Sequence, residues 1–120
     1  QAVTARVNAP LLEWVFENLC KNAIDAMQGA GNLALTLKES AIVEKRKRYL
    51  RVEVSDTGKG IAKNHFQRVF KPGFTTKRRG WGLGLSLAKR IVEEYHHGRI
   101  YVLASEVGQG TTFAVDIEQC

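Results

Sequence analysis

The sequence predicts an α+β fold: a two-layer α/β sandwich whose mixed, mostly antiparallel sheet of about five strands packs on about three helices. Three observations lead there. Residues 11–28 carry apolar side chains at helical spacing. Residues 33–37 and 49–55 alternate as strands around a basic turn. Helices and strands are interspersed through hairpin connections rather than strict βαβ repeats, which favours two layers.

Residues 2–8 suit a short strand. Pro10 suits a helix start, where a missing N–H costs nothing. In the helix that follows, Leu12, Val15, Phe16, Leu19, Ala23, Ile24 and Met27 form one stripe, and Gly29 and Gly31 are expected to stop it. The runs 33–37 and 49–55 read as an antiparallel hairpin, with Lys45-Arg46-Lys47-Arg48 in its solvated loop. Asp56-Thr57-Gly58-Lys59-Gly60 is a turn, and a short helix is expected over 63–69. Residues 71–82 form a loop of the length that usually carries function. A second helix covers 83–97 and ends at Gly98. Two further strands, 99–105 and 111–117, are joined through Gly108-Gln109-Gly110.

A chain of 120 residues, 44% hydrophobic and 25% charged, makes one domain with a real core. It has no apolar run of about 18 residues and no signal peptide. Its start at Gln1 and abrupt end at Cys120 fit a domain of a longer chain. Cys20 falls within the helical stripe and Cys120 is terminal, a pattern of neither disulfide framework nor zinc site, so a reducing cytoplasm is expected. The net charge of +6 is concentrated in Lys45–Arg48 and in Lys77-Arg78-Arg79. No aromatics interleave with the first cluster, which disfavours nucleic acid.

The second cluster abuts Gly80-Trp81-Gly82-Leu83-Gly84-Leu85-Ser86, a glycine-rich turn running into a helix. Free N–H groups and the positive dipole end at such a start attract phosphate. The commonest nucleotide motifs do not fit: G-x-G-x-x-G meets Leu85 or Leu87 at its last position, and a P-loop would need Lys where Leu85 follows Gly84.

On the first helix Asn18, Asn22 and Asp25 share one face beside the apolar stripe. Such amides are either satisfied by neighbours or offer oxygens to a phosphate-bound Mg²⁺. Asp56 is either an ordinary turn residue or an acceptor for the exocyclic amine of adenine, with Gly58 and Gly60 admitting the base. A carboxylate there would reject the carbonyl that guanine presents at the same place. Thr75, Thr76 and Lys77, after Phe70-Lys71-Pro72, either belong to a mobile basic loop or reach phosphate oxygens. Gly108-Gln109-Gly110-Thr111 is a weak signal alone.

In order and spacing, these motifs together resemble the ATP-binding catalytic domain of sensor histidine kinases, within the superfamily of gyrase B, Hsp90 and MutL. The runs Asn18–Met27 and Gly82–Ala88 carry the resemblance most closely, and it spans about residues 12–117. It implies the Bergerat ATP-binding fold and the cofactors ATP and Mg²⁺. Asn22 is implied as the metal ligand, with Asn18 supporting the phosphates. Asp56 reads adenine, with Thr57, Gly58, Gly60 and Ile61 around the base and Thr111 at the same end. Lys71 to Gly82 becomes a lid, including Gly80. The backbone of Gly82, Leu83, Gly84 and Leu85 becomes the phosphate cradle.

Hydrolysing relatives carry a water-activating Glu four residues before the metal-binding Asn. Asn18 stands there, and an amide is no general base. Glu17 points about 100° away on the helix. The site is thus expected to hold ATP for transfer. Ala23-Ile24-Asp25 lacks the usual cation after the metal-binding Asn, so that role passes to Lys21 or Lys77. Gly73 stands where the lid commonly has Phe. His65, His96 and His97 do not resemble a phosphoacceptor box, and the last two are expected to be cations at a helix end. The resemblance further implies a partner upstream, a histidine-bearing dimerisation domain of the same kinase, and indirectly a response regulator. It implies a cytoplasmic location, either free or as the cytoplasmic part of an inner-membrane sensor kinase, a monomeric fragment, and ATP binding without autophosphorylation.

Overall fold

The computed structural model describes residues 7–28, 30–44, 47–72 and 84–118. Helix α1 spans Ala9–Ala26, strand β1 Leu33–Glu44 and strand β2 Lys47–Asp56. Two 3-10 turns follow at Lys63–His65 and Arg68–Phe70, then helix α2 at Gly84–Arg90. Its last part, Ile91–Tyr95, widens into a π turn before strands β3, Arg99–Glu106, and β4, Gly110–Glu118. The described strands form one four-stranded sheet in the order β1-β2-β4-β3, and every pairing is antiparallel.

The helical layer covers one face of this sheet. Val15 and Leu19 of α1 and Ala88, Ile91 and Val92 of the second helical segment meet Val54, Ile100, Val102, Phe113, Val115 and Ile117. Phe70 joins them edge to face against Phe113, with centroids 6.0 Å apart. The other face is polar yet partly sealed. Asp116, 1% exposed, accepts from Arg51 Nε at 2.9 Å and from the Tyr101 hydroxyl at 3.0 Å. The hydrogen bond to Asp116 holds the Arg51 guanidinium charged above its ordinary range. Burial, and then the bond to Asp116, pushes the Tyr101 hydroxyl up.

Several expectations are corrected. Four strands stand among the described residues where about five were expected; Val7 and Asn8 are not strand, and residues 2–6 lie outside the description. Asn8 instead caps α1, its Oδ1 accepting from Leu11 N. The same helix stops at Ala26 because Gln28 takes a left-handed φ of 54° before the glycines are reached. Residues 63–69 form two 3-10 turns rather than one helix. The hairpin arms are longer than the alternation suggested, so Lys47 and Arg48 belong to β2. Ile24 is half exposed, because the line Val15, Leu19 and Ala23 faces the sheet and Ile24 stands off its edge.

His96 is the sharpest correction. It is buried, and its Nδ1 lies 2.9 Å from Ile91 O while its Nε2 accepts from Asn8 N at 2.9 Å. A carbonyl only accepts and an N–H only donates, so the ring carries its proton on Nδ1 and is neutral. It pins the start of α1 rather than serving as a helix-end cation.

Candidate functional site

Asp56 ends β2 directly opposite Thr111 on β4, and both are buried, at 6% and 5% exposure. The Gly58 N–H donates to Asp56 Oδ1 at 2.8 Å, closing the turn and fixing the carboxylate. Three glycines make this packing feasible. A Cβ on Gly58 would strike the Ala26 backbone at the end of α1. Gly60, at φ +76°, lies against the Glu106 carbonyl, and Gly110, at φ +135°, against that of Asp56. Lys59 N donates to Ala26 O at 3.1 Å and Lys59 O accepts from Gly108 N at 2.8 Å, so the turn is clamped between α1 and the β3–β4 loop.

Around this turn the remaining candidates divide. The Thr57 hydroxyl accepts from Asn32 N at 3.0 Å and donates to Met27 Sδ at 3.6 Å, which commits it to the α1–β1 connection. Ile61 packs against the core, and its N–H donates to Ser105 Oγ at 2.7 Å. Sequence reasoning missed Ser105. Its only sequence signal is a hydroxyl in the third strand run, and its importance arises from an irregularity in pairing. Between Val102 and Ala104 the β3–β4 register shifts, and beyond the shift Ser105 opposes Thr111.

On α1, Asn18, Asn22 and Asp25 lie on one flank of the buried line, all half-buried. Leu12, Phe16 and Cys20 occupy the other flank, packed against the core's edge. Burial there pushes the Cys20 thiol up. Asn18 reaches the first residue of α2: a Cβ on Gly84 would collide with Asn18 Oδ1. A side chain at position 84 would therefore have to displace the Asn18 amide. Among the described residues no hydrogen bond engages the half-buried Asn18 or Asn22 amide, whereas Asp25 does have a partner. Leu85 packs on the core, and Lys21 is exposed on α1.

Phe70 is a core residue, 6% exposed, with Lys89 Nζ 5.8 Å from its ring centre. Thr75, Thr76, Lys77, Gly80, Gly82 and Leu83 lie outside the described residues, as do Gly73 and Trp81. No helix among the described residues is long and apolar enough to cross a membrane.

Comparison with known proteins supplies the context for this geometry. A family described as "Histidine kinase-, DNA gyrase B-, and HSP90-like ATPase" matches residues 7–119. Sensor histidine kinase ZraS of Escherichia coli K12 is 40% identical over 104 residues, which cover 87% of this chain and 21% of that protein. Sporulation kinase E of Bacillus subtilis is 39% identical over 106 residues, covering 88% of this chain and 13% of that protein. The chain thus spans a small part of the length of these relatives. Among solved structures, the catalytic domain of histidine kinase ThkA superposes with a TM-score of 0.77 at 29% identity, covering 94% of this chain and 70% of that one. Full-length ShkA in complex with AMPPNP gives 0.82 at 27% identity, covering 99% of this chain and 24% of that one. ThkA has also been solved in complex with the response regulator TrrA. By sequence and by architecture, the chain belongs to the histidine kinase-, DNA gyrase B- and HSP90-like ATPase family, among whose members it is similar to the sensor histidine kinases.

Proposed function

We infer that the chain is the nucleotide-binding domain of a longer protein-histidine kinase, which binds Mg²⁺-ATP and presents its γ-phosphoryl group to a histidine on a separate dimerisation domain. The observation that carries this reading is the buried carboxylate of Asp56, held by Gly58 N–H beside Thr111 with glycines cut away around it. Such a carboxylate accepts from the adenine amine and meets the carbonyl of guanine with repulsion. Asn18 abutting Gly84 supports a phosphate role for the same site, since it brings the amide flank of α1 to the start of α2.

The donor set also fits the metal. Amide oxygens are hard ligands of the kind Mg²⁺ accepts, and an ion held mainly by phosphates needs few from the protein. Asn22 is the proposed ligand, with Asn18 and Asp25 supporting it. When bound, the ion neutralises charge on the transferring phosphoryl group. Gly84 and Leu85, with Gly82 and Leu83 before them, are the proposed phosphate cradle; Lys21 or Lys77 supplies the cation. The absence of a carboxylate at position 18 leaves that position without a general base for hydrolysis. The response regulator that ThkA binds suggests the class of protein acting downstream.

The deciding experiment mixes the chain with labelled ATP and a helical acceptor domain from its own parent kinase. Label on the acceptor histidine, and none on the chain alone, is the expected result. Measurable ATP binding with no transfer would instead favour an ATP-sensing module.

A further inference from the structure

The Ser105 hydroxyl has one proton and two lone pairs, and all three are used. It accepts from Ile61 N at 2.7 Å. It donates to Gly110 O at 2.9 Å, because a carbonyl can only accept. It also lies 2.8 Å from Thr111 Oγ1. With the Ser105 proton already given to Gly110, the Thr111 hydroxyl must be the donor in that contact. Thr111 therefore spends its proton inside the protein and offers only lone pairs elsewhere.

We propose that Ser105 is a specificity-determining positioning residue: by taking the Thr111 proton it makes the base end acceptor-only, so that the site selects 6-amino over 6-oxo purines. The idea rests on the nucleotide reading above and adds to it a residue that touches no ligand. Asp56 and Thr111 stand opposite one another on adjacent strands, so their side chains share a face. Asp56 is a carboxylate whose Oδ1 already accepts from Gly58 N. Thr111 is the rotatable hydroxyl beside it, and free, it would swing to donate to the 6-oxo group of hypoxanthine or guanine. Ser105 denies it that choice. The register shift between Val102 and Ala104 is what permits this. Had the pairing of Val102 with Phe113 continued unshifted, Ala104 would oppose Thr111 and no hydroxyl would be there to receive the proton. Irregularities of this kind commonly re-aim one side chain at a site.

The test compares ATP with ITP, which carry the same sugar and phosphates and differ at purine positions 6 and 1. Both dissociation constants are measured by calorimetry on the chain and its variants. Wild type should prefer ATP, and Ser105→Ala should lower the ATP-to-ITP preference by about tenfold. The double variant Ser105→Ala/Thr111→Val, with no hydroxyl left to rotate, should restore the preference. Ser105→Cys, whose thiol is a weaker partner, should fall between and serves if the alanine variant does not fold. A purely structural Ser105 would weaken both nucleotides alike and leave the ratio fixed, which overturns the proposal. A wild-type chain that binds ATP and ITP equally also overturns it while sparing the nucleotide reading. A chain that binds neither sinks both.

Discussion

Asp56 is tied to Gly58, and Ser105 to Ile61, Gly110 and Thr111, by backbone and hydroxyl hydrogen bonds of 2.7–2.9 Å. On α1, Asn18 and Asn22 carry amides that bond to no other described residue, and Asn18 Oδ1 stands where a Cβ on Gly84 would lie. In the proposed function, the proposed base end is thus held by bonds within the protein, whereas the proposed phosphate end is left to bond through its amides. On that proposal the first end selects the base, because its groups need no reorganisation, and the second holds the phosphates and their ion.

Breaking the proposed base end should have the largest effect. Asp56→Asn keeps an oxygen for Gly58 N–H but loses the charged acceptor. ATP affinity measured by calorimetry should fall about 100-fold, close to 3 kcal/mol, the range of a charge-assisted hydrogen bond. An affinity within a factor of two of wild type would remove Asp56 from the site. Gly84→Ala attacks the other end, since its methyl must displace the Asn18 amide. ATP should bind about tenfold more weakly, while adenosine, which lacks phosphates, should bind as before. Equal losses for both ligands would mean that the two ends do not act separately.

Asn22→Ala should have a smaller effect, read as dependence on the ion. Affinity for ATP with and without Mg²⁺ should differ by less in the variant than in wild type. An undiminished Mg²⁺ effect would remove Asn22 as a ligand. The smallest effect lies on the far face of the sheet. The Tyr101 hydroxyl titrates above the tyrosine value of 10.0 because of burial and its bond to Asp116. A raised folded value means stability that is complete below about pH 10 and lost as pH rises through the folded value. In urea titrations Tyr101→Phe should remove that alkaline loss, leaving nucleotide affinity untouched.

The two ends also differ in how well the sequence reveals them. Gly58 and Gly60 were visible because close backbone approach and left-handed φ leave few residues but glycine. The asparagine flank was visible because a helix repeats every 3.6 residues. Likewise the helical stripe and alternating strands made the two-layer architecture legible. Ser105 was hidden, because its place opposite Thr111 depends on a register shift that no local pattern encodes. So was the neutral state of His96, whose two partners lie at Asn8 and Ile91. The edge-to-face contact of Phe70 with Phe113 was hidden in the same way, since the two rings lie far apart in sequence.

The bond between Asn8 N and His96 Nε2 closes a loop of 88 residues. Nearly the whole chain must find its place before this connection can form, and closing so long a loop has an entropic cost that only tertiary packing offsets. In folding, the first turn of α1 should therefore be among the last parts to become protected from hydrogen exchange, although it comes first in the sequence. In the native state it should be among the first to open locally.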